Sequence, residues 1–246
     1  MSRIIAVVNH KGGVGKTTTT LNLGKALSLQ GKKVLLIDLD PQANLSQSVG
    51  IEKPQRSIYE ALEESSFLPI DQLSPTLSLS PSSLALSKAE MNLHTEPDGY
   101  FRLRSVLENV TDFDIILIDC PPSLGVLSSN ALIAATDILI PVQSQFLATK
   151  GLETIEELVF KIKRNLNKTL SLLGILMTQT NRTVLSQSVK EMVGANYGDK
   201  VFKTFIRQNI ALAEASVGQK DIFDYAPESH GAEDYKNLSS EILERL

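Results

Sequence analysis

The stretch Arg3 to Thr20, RIIAVVNHKGGVGKTTTT, decides the fold. Ile4 to Val8 is a short apolar, β-branched run of the kind that makes a fully buried strand. It breaks at Asn9-His10 into a loop rich in lysine and glycine, after which Lys16 to Leu29 reads as a helix. Strand, glycine-rich loop and helix in that order build an anion cradle. Gly12, Gly13 and Gly15 let the backbone curl, and the helix N-terminus adds partial positive charge.

The usual phosphate-loop pattern is G-x-x-x-x-G-K-[ST]. Gly15-Lys16-Thr17 fit it, but His10 stands where the first glycine belongs, and a second lysine, Lys11, follows. Two lysines so close repel each other unless an anion lies between them. The loop is therefore expected to bind a nucleoside triphosphate, with Lys16 on the β- and γ-phosphates and the Thr17 hydroxyl on Mg²⁺.

With 246 residues, 42% hydrophobic and 21% charged, the chain suits one soluble α/β domain over 1–246. A net charge of −4 restricts any DNA binding to a local patch. The single cysteine, Cys120, cannot form an internal disulfide, which predicts a reducing, cytoplasmic setting. No stretch approaches the ~20 apolar residues of a membrane span. His10, His94 and His230 are too scattered to suggest a metal site.

Val34 to Asp38 (VLLID) and Asp114 to Asp119 (DIILID) read as two more buried strands. Each ends in acids at its carboxyl end, where open α/β sheets bind ligands. Asp38 and Asp40 follow the first of these strands. Asp119, after four aliphatic residues, has the form of a Walker B acid that holds Mg²⁺. Ser57 with Glu60 predicts a capping box. Residues 50–98 carry eight acids against three bases and read as surface elaboration, although Leu77–Ser80 suits a strand and the spaced leucines of 74–87 suggest packing. Further strands are expected at 138–142, 170–177 and 201–205, and helices at 100–110, 124–135, 149–166, 186–196 and 232–246. This alternation predicts a predominantly parallel sheet with helices on both faces, in a single P-loop NTPase domain.

Three motifs, KGGVGKTTT (Lys11–Thr19), VLLIDLDPQAN (Val34–Asn44) and DIILIDCPPS (Asp114–Ser123), resemble the deviant Walker A ATPases, and within them the ParA/Soj partition proteins of the MinD/ParA superfamily. Weaker similarity continues through Pro141-Val142-Gln143, Gly151-Leu152 and Gly231 to Tyr235. The chain looks like the short form without an added DNA-reading domain. The resemblance implies an ATP-dependent homodimer in which Lys11 crosses to the partner's phosphates. Lys16 would hold its own nucleotide, within a binding set of Lys11, Gly12, Gly13, Val14, Gly15, Lys16, Thr17 and Thr18. Asp40 matches the residue that positions the attacking water, and Asp38 is placed with Thr17 and Asp119 near the metal. Asn181 and Asn209 are carried over near the adenine.

Such proteins bind double-stranded DNA without sequence preference when ATP-bound, become nucleoid-associated, and are stimulated by a ParB-like partner. In support, residues 151–210 hold nine bases against five acids. Lys161, Lys163, Arg164, Arg182, Lys190, Lys203 and Arg207 are the candidate phosphate contacts. Gln208 and Ala211 stand where arginines are usual, which shifts any DNA binding onto other bases. A MinD-like ATPase on a membrane or another non-DNA cargo is the alternative, but the tail Tyr235 to Leu246 has balanced charge. An iron-protein reductase is excluded, because a bridging cluster needs several cysteine ligands.

Overall fold

The computed structural model describes residues 2–64, 67–145 and 148–246. In chain order its elements are β1 (Arg3–Val7), α1 (Lys16–Leu29), β2 (Val34–Asp38), α2 (Asn44–Gln47), α3 (Ile58–Glu64), β3 (Asp71–Ser74), β4 (Leu77–Ser80), α4 (Leu86–Leu93), α5 (Arg102–Leu107), β5 (Ile115–Asp119), α6 (Val126–Ala134), β6 (Asp137–Gln143), α7 (Ala148–Asn165), β7 (Ser171–Thr178), α8 (Val184–Tyr197), α9 (Ile210–Val217), α10 (Ile222–Tyr225) and α11 (His230–Arg245). Among the described residues the strands form one seven-stranded sheet, ordered β3-β4-β2-β5-β1-β6-β7. Neighbours run parallel except β3, which pairs antiparallel with β4 at the edge.

Side-chain alternation splits each central strand between two cores. Ala6, Val8, Leu35, Ile37, Ile116 and Ile118 face the layer of α3 to α8. Ile5, Val7, Leu36, Leu117 and Leu139 face α1, α10 and α11. Helix α1 lies very close to the sheet, since a Cβ built on Gly24 would come within 2.4 Å of Leu36 Cδ2. The register places Val7 beside Asp119 and Asp38 beside Asp119. The loop after β1 and both acids therefore leave the sheet along one edge.

Two expectations need correction. Residues 50–98 are more than surface elaboration: β4 lies inside the sheet, and Ile58, Leu62, Leu86, Ala89 and Leu93 are core residues. The capping box does form there, with Ser57 N donating to Glu60 Oε2 at 2.7 Å. The strand expected at 201–205 is not a strand. The chain follows β7 through single parallel bridges at Val201 and Arg207. Between them the Lys203 and Thr204 amides turn away to the Glu241 carboxylate, each at 2.9 Å, so no continuous ladder can form.

Candidate nucleotide-binding site

After β1 the chain is pinned by Asn9. Its Nδ2 donates to the Pro141 carbonyl at 2.7 Å, and its Oδ1 accepts the Lys11 amide at 3.0 Å. Gly13 and Gly15 then adopt φ of 74° and 87°, the left-handed region that glycine enters without a Cβ penalty. Gly15 caps α1 without any side-chain hydrogen bond, so the first-turn amides remain directed at the loop's concave side. From the end of β7, Thr178 Oγ1 donates to the Val14 carbonyl at 2.8 Å and Gln179 Nε2 to the Gly13 carbonyl at 2.6 Å. The loop's shape is thus held from three strands.

Lys16 is only 7% exposed, and its Nζ donates to the Lys11 carbonyl at 3.1 Å. Burial lowers its pKa, opposed chiefly by Asp119. Thr17 Oγ1 donates to Asp119 Oδ2 at 2.7 Å, whereas Asp119 Oδ1 is buried without a hydrogen-bond partner among the described residues. Burial, and then the neighbouring Asp38, push the Asp119 carboxyl well above the usual range. An orphaned carboxylate oxygen beside a hydroxyl is the hard-oxygen donor set that suits Mg²⁺. Among the described residues no cluster of three acids, histidines or cysteines could hold a metal by itself. The fit is to an ion that keeps waters and shares phosphate oxygens.

Asp38 is fully buried with both oxygens engaged. Oδ2 accepts the Ser46 amide and hydroxyl at 2.9 and 2.7 Å, and Oδ1 accepts the Asp40 amide at 3.2 Å. Burial pushes its pKa up to about 6, with the Ser46 bonds pulling it back. Asp38 thus shapes the loop that carries Asp40. Asp40 is 8% exposed and accepts the Gln42 amide at 2.9 Å through Oδ1.

A cavity of about 640 Å³ opens over this arrangement, lined by Gly12, Gly13, Gly15, Lys16, Thr17, Thr18 and Asp40. Val14 is buried behind the loop. Lys11, which does not line the cavity, approaches Gly151 of α7, where a Cβ would stand 3.6 Å from Lys11 Cε. Asn181 and Asn209 are absent from the lining. Asn209 Oδ1 caps α9 by accepting the Ala211 amide at 2.9 Å, and Asn181 Oδ1 accepts the Thr183 amide at 3.1 Å and hydroxyl at 2.6 Å. Ser216, Val217 and Gln219 at the α9 end join Gln47, Ser48 and Glu52 in one wall of the cavity, with Ser48 Oγ 2.8 Å from Ser216 Oγ and Gln219 Nε2 donating to Glu52 Oε1 at 3.2 Å. No motif marks these residues; only the fold brings them to the loop.

The candidate DNA bases separate into groups. Arg182, Lys190 and Arg207 line a second groove of about 950 Å³ beyond β7, together with Asn181, Phe205 and His230. Lys190 Nζ sits 3.6 Å from the centre of the Phe205 ring. Arg207 is tied to Asp234 and Glu233, each at 2.5 Å. Lys161, Lys163 and Arg164 are exposed toward the end of α7 and do not line this groove, nor does the exposed Lys203.

A phosphate loop at the carboxyl edge of a central parallel strand, with an acid at the end of the adjoining strand, defines the P-loop NTPase fold. Residues 2–172 match the family described as AAA domain. Over 98% of both chains, the sequence is 42% identical to the sporulation initiation inhibitor protein Soj of Bacillus subtilis. It is 40% identical to the chromosome-partitioning ATPase Soj of Treponema pallidum, covering 100% of this chain and 98% of that one. Among solved structures, the cobyrinic acid a,c-diamide synthase of Mycobacterium smegmatis with bound ADP and magnesium superposes with a TM-score of 0.87. Its identity is 34%, over 99% of this chain and 94% of that one. The chain belongs to the Soj/ParA family of the MinD/ParA superfamily.

Proposed function

We propose that this protein is a partition ATPase: it binds ATP with Mg²⁺, dimerises in that state, holds DNA without sequence preference, and releases it on hydrolysis. The observation that carries this reading is the convergence of Lys16, Thr17 and Asp40 on one cavity, with Asp119 buried behind Thr17 and accepting its hydroxyl. Lys16 and the loop amides grip the phosphates. Thr17 and Asp119 are the residues that would hold Mg²⁺, which when bound screens the phosphate charge. Asp40 orients the attacking water in line with the γ-phosphate, so hydrolysis proceeds by positioning and electrostatics. Lys11, supplied across the dimer, makes the complete site depend on two copies. ATP then stabilises the dimer and its hydrolysis dissolves it.

The partner is a ParB-like stimulating protein, and the setting is cytoplasmic, nucleoid-associated when ATP is bound. Exposed bases on α7, with Arg182 and Lys190 of the groove beyond β7, supply the DNA contacts. The α11 tail speaks against membrane cargo, because Leu238 and Ile242 are fully buried in the core shared with α1.

Steady-state hydrolysis of ATP to ADP and phosphate tests this reading. Wild-type protein turns over slowly and is stimulated by duplex DNA with the partner, while Lys16→Ala and Asp40→Ala are inactive. Turnover unaffected by both substitutions would overturn the site. An ATP-dependent dimer that ignores DNA would move the function to a non-DNA cargo.

A further inference from the structure

The stretch 74–87, with its serines and prolines, supplies a wall of the active-site loop. Ser82, just past β4, is 1% exposed. Its amide donates to Ser46 Oγ at 2.9 Å, and its hydroxyl donates to the Asp40 carbonyl at 2.8 Å. Ser46 Oγ in turn donates to Asp38 Oδ2 at 2.7 Å, and Asp38 Oδ1 accepts the Asp40 amide at 3.2 Å. The bonds close a ring from the Asp40 amide through Asp38, Ser46 and Ser82 back to the Asp40 carbonyl. Both peptides flanking the Asp40 Cα are therefore pinned to buried partners, which fixes where its carboxylate stands over the cavity.

We infer that Ser82 is a positioning residue for Asp40 in ATP hydrolysis, acting through the backbone and not on the nucleotide. The inference rests on the role given to Asp40 above. Among the described residues the ring's hydrogen bonds run within 38–82 and do not enter the cradle of Gly13, Gly15 and Lys16, so nucleotide grip and water positioning are separable. Loss of the Ser82 hydroxyl does not unmake the loop, because the Asp40 carbonyl still accepts the Ala43 amide at 2.9 Å. It removes one of the two restraints on that carbonyl and lets the carboxylate wander. A displacement on the order of 1 Å costs a positioned group up to about a hundredfold in rate.

The test measures ATP turnover, KM and affinity for a fluorescent ATP analogue in Ser82→Ala, Ser82→Thr and Asp40→Ala. Ser82→Ala is expected to lower kcat by about ten- to hundredfold with KM and analogue affinity unchanged, and Ser82→Thr, which keeps the hydroxyl, to restore turnover. Should Ser82→Ala melt below the assay temperature, Ser82→Cys, similar in size and a weaker donor, carries the same comparison. If Asp40→Ala abolishes turnover while the Ser82 variants keep wild-type kcat, the inference fails and the Asp40 role stands. If kcat and KM worsen together and threonine does not rescue, Ser82 is only structural and the inference fails. If Asp40→Ala leaves turnover intact, the reading of Asp40 fails first.

Discussion

Arg207 separates a structural cation from a DNA-binding one. Its Nε lies 3.0 Å from both Asp234 oxygens, and its Nη2 lies 2.5 Å from Asp234 Oδ1 and from Glu233 Oε2. Its amide adds a 2.9 Å bond to Asp234 Oδ2. These acids hold the guanidinium pKa above its ordinary value, Asp234 most strongly. The Asp234 side chain is 7% exposed and that of Arg207 33%, so solvent screens the pair from one side only. Charge-assisted hydrogen bonds to a buried carboxylate contribute about 1.5–3 kcal/mol, and removing one partner strands the other. After allowance for screening, Arg207→Ala should destabilise by about 2 kcal/mol, a fall in Tm of about 4–8 °C for a domain of this size. DNA affinity below the transition should change little, and the slope of log K against log salt should not move. The assay is differential scanning fluorimetry beside filter binding of ATP-loaded protein across a salt series. An unchanged Tm with a slope shallower by about 0.9, the signature of one lost phosphate contact, would refute the reasoning.

Other consequences are sharper in single measurements. Lys16→Ala should weaken nucleotide affinity by about a hundredfold, corresponding to roughly 3 kcal/mol of lost charge-assisted bonding, read by titration with a fluorescent ATP analogue. Asp38, raised to about 6 in the fold from an ordinary 3.8, binds its proton more tightly when folded. Its contribution to stability is complete below its unfolded pKa and is lost as pH rises through about 6, so Asp38→Asn should lessen the decline in nucleotide-free stability between pH 5 and 7.5. Denaturant titrations at the two pH values check this. Ile242→Ala empties a fully buried position between α11 and α1 and should cost about 2–4 kcal/mol, seen as a lower urea midpoint, with no gain or loss of liposome sedimentation.

The central half of this fold was legible because its signals are local. The aliphatic runs before Asp38 and Asp119, and the glycines before Lys16, each state a strand end or a turn without reference to the rest of the chain. Leu77–Ser80 is the strand that its composition suggests, but its serines and the acidic, irregular surroundings give residues 50–98 the look of surface elaboration. In the fold Ser78 and Ser80 are buried, paired with the interior strand β2. The 201–205 segment had strand composition but lost its ladder to Glu241, a competitor 36 residues or more away that no local pattern reveals. The phosphate-loop half of the site was readable for the same reason as the strands. The Ser216–Gln219 wall was not, since nothing marks those residues until α9 is folded against the loop. Asn181 and Asn209 stand outside the cavity lining, their Oδ1 atoms engaged in a turn and a helix cap.

The central claim is that nucleotide state at this one cavity governs DNA binding. The direct measurement is binding of Asp40→Ala protein to random-sequence duplex DNA with ATP and with ADP, at rising salt. The account predicts binding with ATP alone, weakening steeply as salt increases, with the slope giving about 0.9 per phosphate contact. Equal binding in ATP and ADP, or no binding at low salt from a protein that dimerises with ATP, would contradict it.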